Sequence, residues 1–154
     1  MLKVIKTVNG KKEAGTLKDL NKHTAIYVDL EEPSLKELEE ISQYINYPIK
    51  KIRADIKKTS RPKVDDLGEY SLIVFKAPYT DAARTMRTTS LAIFLSKRMN
   101  NVIIIRKKRN VNALNRMEEL ISKDKTFMKK GPGYFVFRLL DFIEDDFFNI
   151  IEQV

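Results

Sequence analysis

The 154-residue chain reads as a central mixed sheet covered by helices, of the α/β or α+β class. Three observations lead there. Segments rich in β-branched residues occur both before and after a pair of helical stretches, and two further helical stretches close the chain. Hydrophobic residues make up 43% and charged residues 32%, the balance of a chain that folds around a core. Strictly apolar runs are four or five residues at most, as at 102–105 and 91–95, whereas a membrane helix needs roughly 20. A length of 154 residues suits one domain over the whole chain.

The first expected element is a strand over 2–8, closed by Asn9-Gly10, a pair that favours the left-handed backbone of a tight turn. A second strand is expected over 24–30. Ser34 then offers an N-cap with Glu37 three residues on, and Leu35, Leu38, Ile41 and Ile45 recur at helical spacing, which predicts a helix over 34–46. Pro48 suits the first turn of a shorter helix with Ile49, Ile52 and Ile56 as its buried stripe and its basic residues in water. Residues 58–69, with Pro62 and Gly68 among polar neighbours, read as a connecting loop.

Three β-rich stretches follow at 70–77, 87–96 and 101–107, the last two joined as a hairpin around 98–101. A helix over 111–123 carries Val111, Leu114, Met117, Leu120 and Ile121 on one face, and Lys129 to Gly133 breaks it. The last helix, from about Tyr134 to the end, has Val136, Leu139, Leu140, Ile143, Phe147, Ile150, Ile151 and Val154 at helical spacing. It ends without glycine, asparagine or proline and on an apolar residue. The expectation is therefore that the native chain continues past Val154.

Several chemistries are excluded. With no cysteine there is no disulfide framework, thiolate metal site or cysteine nucleophile. His23 is the only histidine, which rules out a multi-histidine zinc site and reads as an exposed turn residue. No Walker motif or dinucleotide-binding glycine pattern is present, so an enzyme is not expected. The N-terminus interleaves charges with apolar residues and lacks a signal-peptide core.

Net charge is +8 and the isoelectric point is near 9.6. The excess sits in two clusters, one through Lys50, Lys51, Arg53, Lys57, Lys58, Arg61 and Lys63, the other Arg106 to Arg109. Both are expected as solvated surface, because stacking aromatics are not interleaved with them. Nucleic acid is accordingly not the expected partner; a basic nucleic-acid-binding module is the competing reading, and electrostatic attraction of the basic surface to an anionic inner leaflet is a third.

Four segments occur in an order that resembles a known family. They are Ile26-Tyr27-Val28-Asp29-Leu30 followed by Glu31-Glu32-Pro33; Arg61-Pro62-Lys63-Val64 with the strand from Tyr70 to Lys76; Thr88 to Leu95 with 102–105; and the final helix, with Leu140-Asp141, Asp145-Asp146-Phe147-Phe148 and Ile151-Glu152. The resemblance is to the CorA family of magnesium/cobalt transport proteins and covers nearly the whole chain. It implies the cytoplasmic α/β/α domain of a pentameric channel in the cell membrane, whose final helix leads into a stalk and two membrane helices beyond this sequence. It further implies that divalent cations, Mg²⁺ with Co²⁺ as a second ion, bind between neighbouring cytoplasmic domains and hold the channel closed. The zinc-transporting branch of the family is a variant of the same reading.

The resemblance places one interface carboxylate at Asp141. Asp145 lies four residues on and shares its helical face, a pair of oxygen donors of the kind a hard cation accepts while keeping several of its waters. The second family acid lies seven residues before the arginine of the Arg-Pro-Lys turn. Counted from Arg61, that position is Ala54 beside Arg53, so the acidic pair is not reproduced. Asp55, one residue away, is the remaining candidate, although a one-residue offset turns a helical position by about 100°, and the positive charge of Arg53 opposes a cation.

Overall fold

The computed structural model describes residues 1–22 and 25–153; His23, Thr24 and Val154 lie outside them. Strand β1 (Leu2–Val8) turns at Asn9 and Gly10, both at positive φ (52° and 76°), into β2 (Lys11–Ala14), with Val8 opposite Lys11. That two-residue reversal is what Asn-Gly favours. A 3₁₀ turn (Leu17–Asn21) leads to β3 (Ala25–Glu31), which pairs antiparallel with β1.

Helix α1 (Leu35–Ile45) begins as the sequence requires. The Ser34 hydroxyl accepts from Glu37 N–H, and the Glu37 carboxylate accepts from Ser34 N–H. Asn46, left-handed at φ 51°, ends it. Leu38, Ile41 and Ile45 are buried, while Leu35 in the first turn is exposed. Pro48 caps the short α2 (Ile49–Asp55), where Ile52 and then Ile56 are buried.

The expected loop over 58–69 contains a strand instead, β4 (Lys63–Asp66), at the sheet edge against β5 (Ser71–Thr80). All four of its residues are exposed. Strands β6 (Met86–Ser96) and β7 (Asn101–Arg106) form the expected hairpin, and β7 lies parallel to β3, so the seven strands run β2-β1-β3-β7-β6-β5-β4 in a mixed sheet. Helix α3 (Asn112–Lys123) follows. After a second 3₁₀ turn (Phe127–Lys130), Gly131 at φ 94° and Pro132 at the first helical turn start α4 (Pro132–Glu152) two residues earlier than expected.

Side chains alternate across the central strands and divide the core in two. On one face Ile26, Val28, Leu30, Ile103 and Ile105 pack with Leu38, Ile41, Ile45 and Ile52 of α1 and α2. On the other Tyr27, Val102 and Ile104 pack with Leu114, Met117 and Ile121 of α3 and Phe135, Leu139 and Ile143 of α4. The Tyr27 and Phe135 rings meet at 5.2 Å between centroids. Helices on both faces of a mixed sheet give the α/β architecture expected. No helix among the described residues is long and apolar enough to cross a membrane.

Candidate functional site

Asp141 and Asp145 project from α4, and each has an arginine nearby. Arg138 Nη1 donates to Asp141 Oδ2 at 2.8 Å, one turn away on the same helix. Arg116 of α3 lies 3.6 Å from Asp145 Oδ2, an ion pair too long for a good hydrogen bond. Both guanidinium groups rest on the Phe142 ring, at 4.1 Å for Arg116 and 4.8 Å for Arg138. The acidic side chains stay wet, 45% and 55% exposed. Ion pairs of that exposure are weak and exchangeable.

Asp55 is in the opposite state. Its carboxylate is buried at the end of α2, where the Tyr47 hydroxyl donates to Oδ2 at 2.6 Å and Lys63 Nζ lies 2.9 Å from Oδ1. Lys63 also reaches Asp65 at 3.3 Å. The hydrogen bond that Lys63 donates to Asp55, foremost among several influences, raises the Lys63 pKa above its ordinary value. Burial first, and Asp55 second, push the Tyr47 phenol up to about 12. Lys63 comes from β4, the strand absent from the sequence reading, so the partner of Asp55 was not foreseeable from its own helix.

These acids do not converge within one chain. Asp55 belongs to the α1/α2 layer, whereas Asp141 and Asp145 belong to α4 across the sheet. Among the described residues no group of three or more His, Cys, Asp or Glu side chains could hold a metal ion. Asp141 and Asp145 fit a hydrated Mg²⁺ as partial donors, since that ion keeps most of its water and needs one or two carboxylates. At Asp55 a cation would have to displace Lys63. Asp146, beside Asp145, is buried, with Oδ1 accepting from Asn112 Nδ2 at 3.0 Å.

One residue of the basic clusters is misplaced by the sequence reading. Arg106 does not lie on a solvated face: it is buried at the end of β7 and donates through Nε and Nη2 to both oxygens of Asp29 on β3, at 2.9 and 3.0 Å. Its Nη2 also reaches Glu31 at 2.9 Å, and its Nη1 donates to the Arg109 carbonyl at 2.7 Å. This fork joins the two parallel strands where they end. A single sequence carries only a faint signal of it, an aspartate inside an otherwise apolar strand.

Comparison with known proteins gives a consistent result. Residues 22–154 match the model of the family described as "CorA-like Mg2+ transporter protein". The chain is 26% identical over 128 residues to the cobalt/magnesium transport protein CorA of Methanocaldococcus jannaschii, covering 82% of this chain and 39% of that protein. It superposes on the soluble domain of that organism's CorA with a TM-score of 0.78 and 21% identity, covering 99% of this chain and 59% of that one. Against the complete CorA structure from the same organism the TM-score is 0.80 at 19% identity, covering 99% of this chain and 47% of that one. The full-length CmaX protein gives 0.72 at 16% identity, covering 99% and 47%. The chain thus spans 39% of the length of its curated relative.

Proposed function

Since the chain belongs to the family of CorA-like Mg²⁺ transporter proteins, we propose that residues 1–154 form one cytoplasmic domain of a channel in the cell membrane that carries magnesium and cobalt ions. The observation that carries this reading is the family match over residues 22–154. The ions are the substrates of the whole protein. The membrane spans belong to chain beyond this sequence, into which α4 leads as a stalk.

The domain regulates by binding divalent cations between neighbouring copies. Asp141 and Asp145 are half-exposed and, among the described residues, no third metal-binding side chain joins them, which supports a site completed by a second chain rather than one within a chain. A second feature points the same way. Phe137, Leu140, Phe148 and Ile151 of α4 are exposed, and at 100° per residue they fall within about 80° of one another, with Asp141 about 20° beyond the stripe. Covering that stripe with a second copy in a homo-oligomer, a pentamer in the complete protein, brings Asp141 to the boundary between subunits.

The test is thermal unfolding and sedimentation of the chain with MgCl₂ or CoCl₂ against NaCl of matched ionic strength. A ligand held at ten times its Kd stabilises the state that binds it by about 1.4 kcal/mol. The expected result is a higher Tm or self-association with the divalent salts, lost in Asp141→Asn. Identical behaviour in all three salts would refute cation sensing by this domain.

A further inference from the structure

The carboxyl ends of β3 and β7 open onto a crevice that the cation reading does not use. These two strands are parallel neighbours, yet β3 feeds α1 on one face of the sheet and β7 feeds α3 on the other. In open α/β sheets the point where successive connections diverge to opposite faces leaves a gap beyond the strand ends, and ligands bind there. Here the gap is deepened from one side. Strand β7 stops at Arg106, opposite Leu91, while β6 and β5 continue pairing for another five residues to Met86 and Thr80 and so form a wall that overhangs it.

A cavity of about 690 Å³ lies there, within the roughly 300–1,000 Å³ typical of small-molecule sites. Its chemistry is that of an anion receptor. Lys107 and Arg109 reach it from the β7–α3 connection, Arg87 from the overhang and Lys58 from the end of α2, against the single carboxylate of Glu32. Glu32 already accepts from Lys108 N–H at 3.1 Å. Arg87 is held by Asp81 at 2.7 Å, and Arg109 by the Tyr79 hydroxyl at 3.0 Å and across the Tyr79 ring at 5.4 Å. Two of the cations are thus fixed in place, while Lys58 and Lys107 make no ion pair among the described residues. Thr88 and Thr89 of β6 also line the cavity, whereas the Ser90 hydroxyl beside them is taken up by Ser60, Lys76 and the Lys57 carbonyl.

We propose that this crevice at the ends of β3 and β7 binds a small polyphosphate, an anion carrying two or more phosphoryl groups, with Lys58 and Lys107 closing on it and Arg87 and Arg109 as preset donors. Charge selects the class. Four cations, set against Glu32 in the lining and Asp81 beside Arg87, leave a net charge of about +2, more than a monoanion balances, and guanidinium forks match phosphoryl oxygens in geometry. A free nucleotide, inorganic polyphosphate and a phosphoinositide headgroup share this chemistry. The proposal does not depend on cation sensing at α4.

The test is calorimetric titration of the chain at about 0.15 M salt, where unspecific surface attraction is screened. Inorganic tripolyphosphate, ATP and vesicles containing a phosphoinositide are titrated separately, which distinguishes the three sources. The expected result is saturable one-to-one binding of at least one of them, weakened tenfold or more by Lys58→Ala/Lys107→Ala. The pair Lys36→Ala/Lys50→Ala, which removes the same charge from residues that do not line the cavity, should leave that binding unchanged. Absence of saturable binding to all three overturns the proposal. So does equal weakening by the two pairs, which would assign the binding to the overall field of a +8 chain.

Discussion

Asp29 on β3 and Asp55 at the end of α2 differ in kind from Asp141 and Asp145 on α4. Asp29 and Asp55 are buried, and each carboxylate meets at least one cation at close range, Arg106 for the first and Lys63 for the second. Asp141 and Asp145 are half in water beside arginines that also stack on Phe142. The first pair is committed to holding elements together, and the second pair is available. A buried ion pair whose partner is removed leaves an uncompensated charge in a poorly solvated place, whereas an exposed pair simply rehydrates. The contrast teaches that an acidic residue's use depends less on its spacing in sequence than on whether the fold surrounds it with donors.

The largest effect expected from breaking this contrast is at Asp29. Asp29→Ala leaves the Arg106 guanidinium between β3 and β7 with Glu31 as its one carboxylate partner beside the Arg109 carbonyl, and should lower unfolding stability by about 3–5 kcal/mol, measured by urea titration. Replacing both partners with apolar residues, Asp29→Leu with Arg106→Met, should recover much of that loss, because both buried charges are then gone and only Glu31, whose side chain is 18% exposed, loses its partner. A double variant as unstable as the single would show that the fork itself, rather than relief of an unpaired charge, stabilises the strand ends.

Asp55 comes next. Asp55→Asn keeps an acceptor for the Tyr47 hydroxyl but removes the charge facing Lys63, an expected cost of about 1–3 kcal/mol. The pH dependence follows from Tyr47, whose phenol is raised to about 12 by burial and by Asp55. A pKa raised on folding contributes stability that is whole below the unfolded value of 10 and is lost as pH rises through about 12. Unfolding titrations should therefore show falling stability above pH 10. In Asp55→Asn the Tyr47 resonance, followed by NMR, should titrate at lower pH than in the parent chain. An unchanged Tyr47 titration would mean that burial alone holds the phenol up.

How much of this was legible in the sequence varies with the kind of signal. Local instructions were readable: Asn9-Gly10 marked the first turn, although strand β2 beyond it was not expected, Ser34 with Glu37 fixed the start of α1, and Gly131-Pro132 separated the last two helices. Instructions that depend on a neighbour were not. Strand β4 is Lys-Val-Asp-Asp, without apolar alternation, and it is a strand because the edge of β5 offers it hydrogen bonds. Arg106 sits beside three other basic residues, and only its position opposite Glu31 on β3, two residues beyond Asp29, takes it inside. The candidate acids of α4 were readable as a helical pair, but their arginines were readable only in part. Arg138 is three residues away on the same helix, whereas Arg116 reaches Asp145 from another.

For the exposed acids the expected effect on folding is small. Asp141→Asn and Asp145→Asn should each change stability by no more than about 0.5 kcal/mol without divalent ions, and differ from the parent chain only when Mg²⁺ is present. A large loss in sodium alone would place these acids with Asp29 and Asp55, as structural residues, and would end their candidacy as cation ligands.

The smallest effect on the isolated fold is expected at the apolar stripe beside them. Phe148 and Ile151 are 55% and 64% exposed, so Phe148→Ser and Ile151→Ser uncover almost no core and should leave the Tm of the dilute chain within a degree or two, the scale set by ΔΔG values below about 0.5 kcal/mol. If α4 is where copies meet, the same substitutions should abolish Mg²⁺-dependent association in sedimentation while Asp141 and its neighbours are intact. Association that survives both serines but is lost in Asp141→Asn would separate the cation from the stripe. The ion would then join copies through carboxylates alone, and the apolar stripe of α4 would play no part in that association.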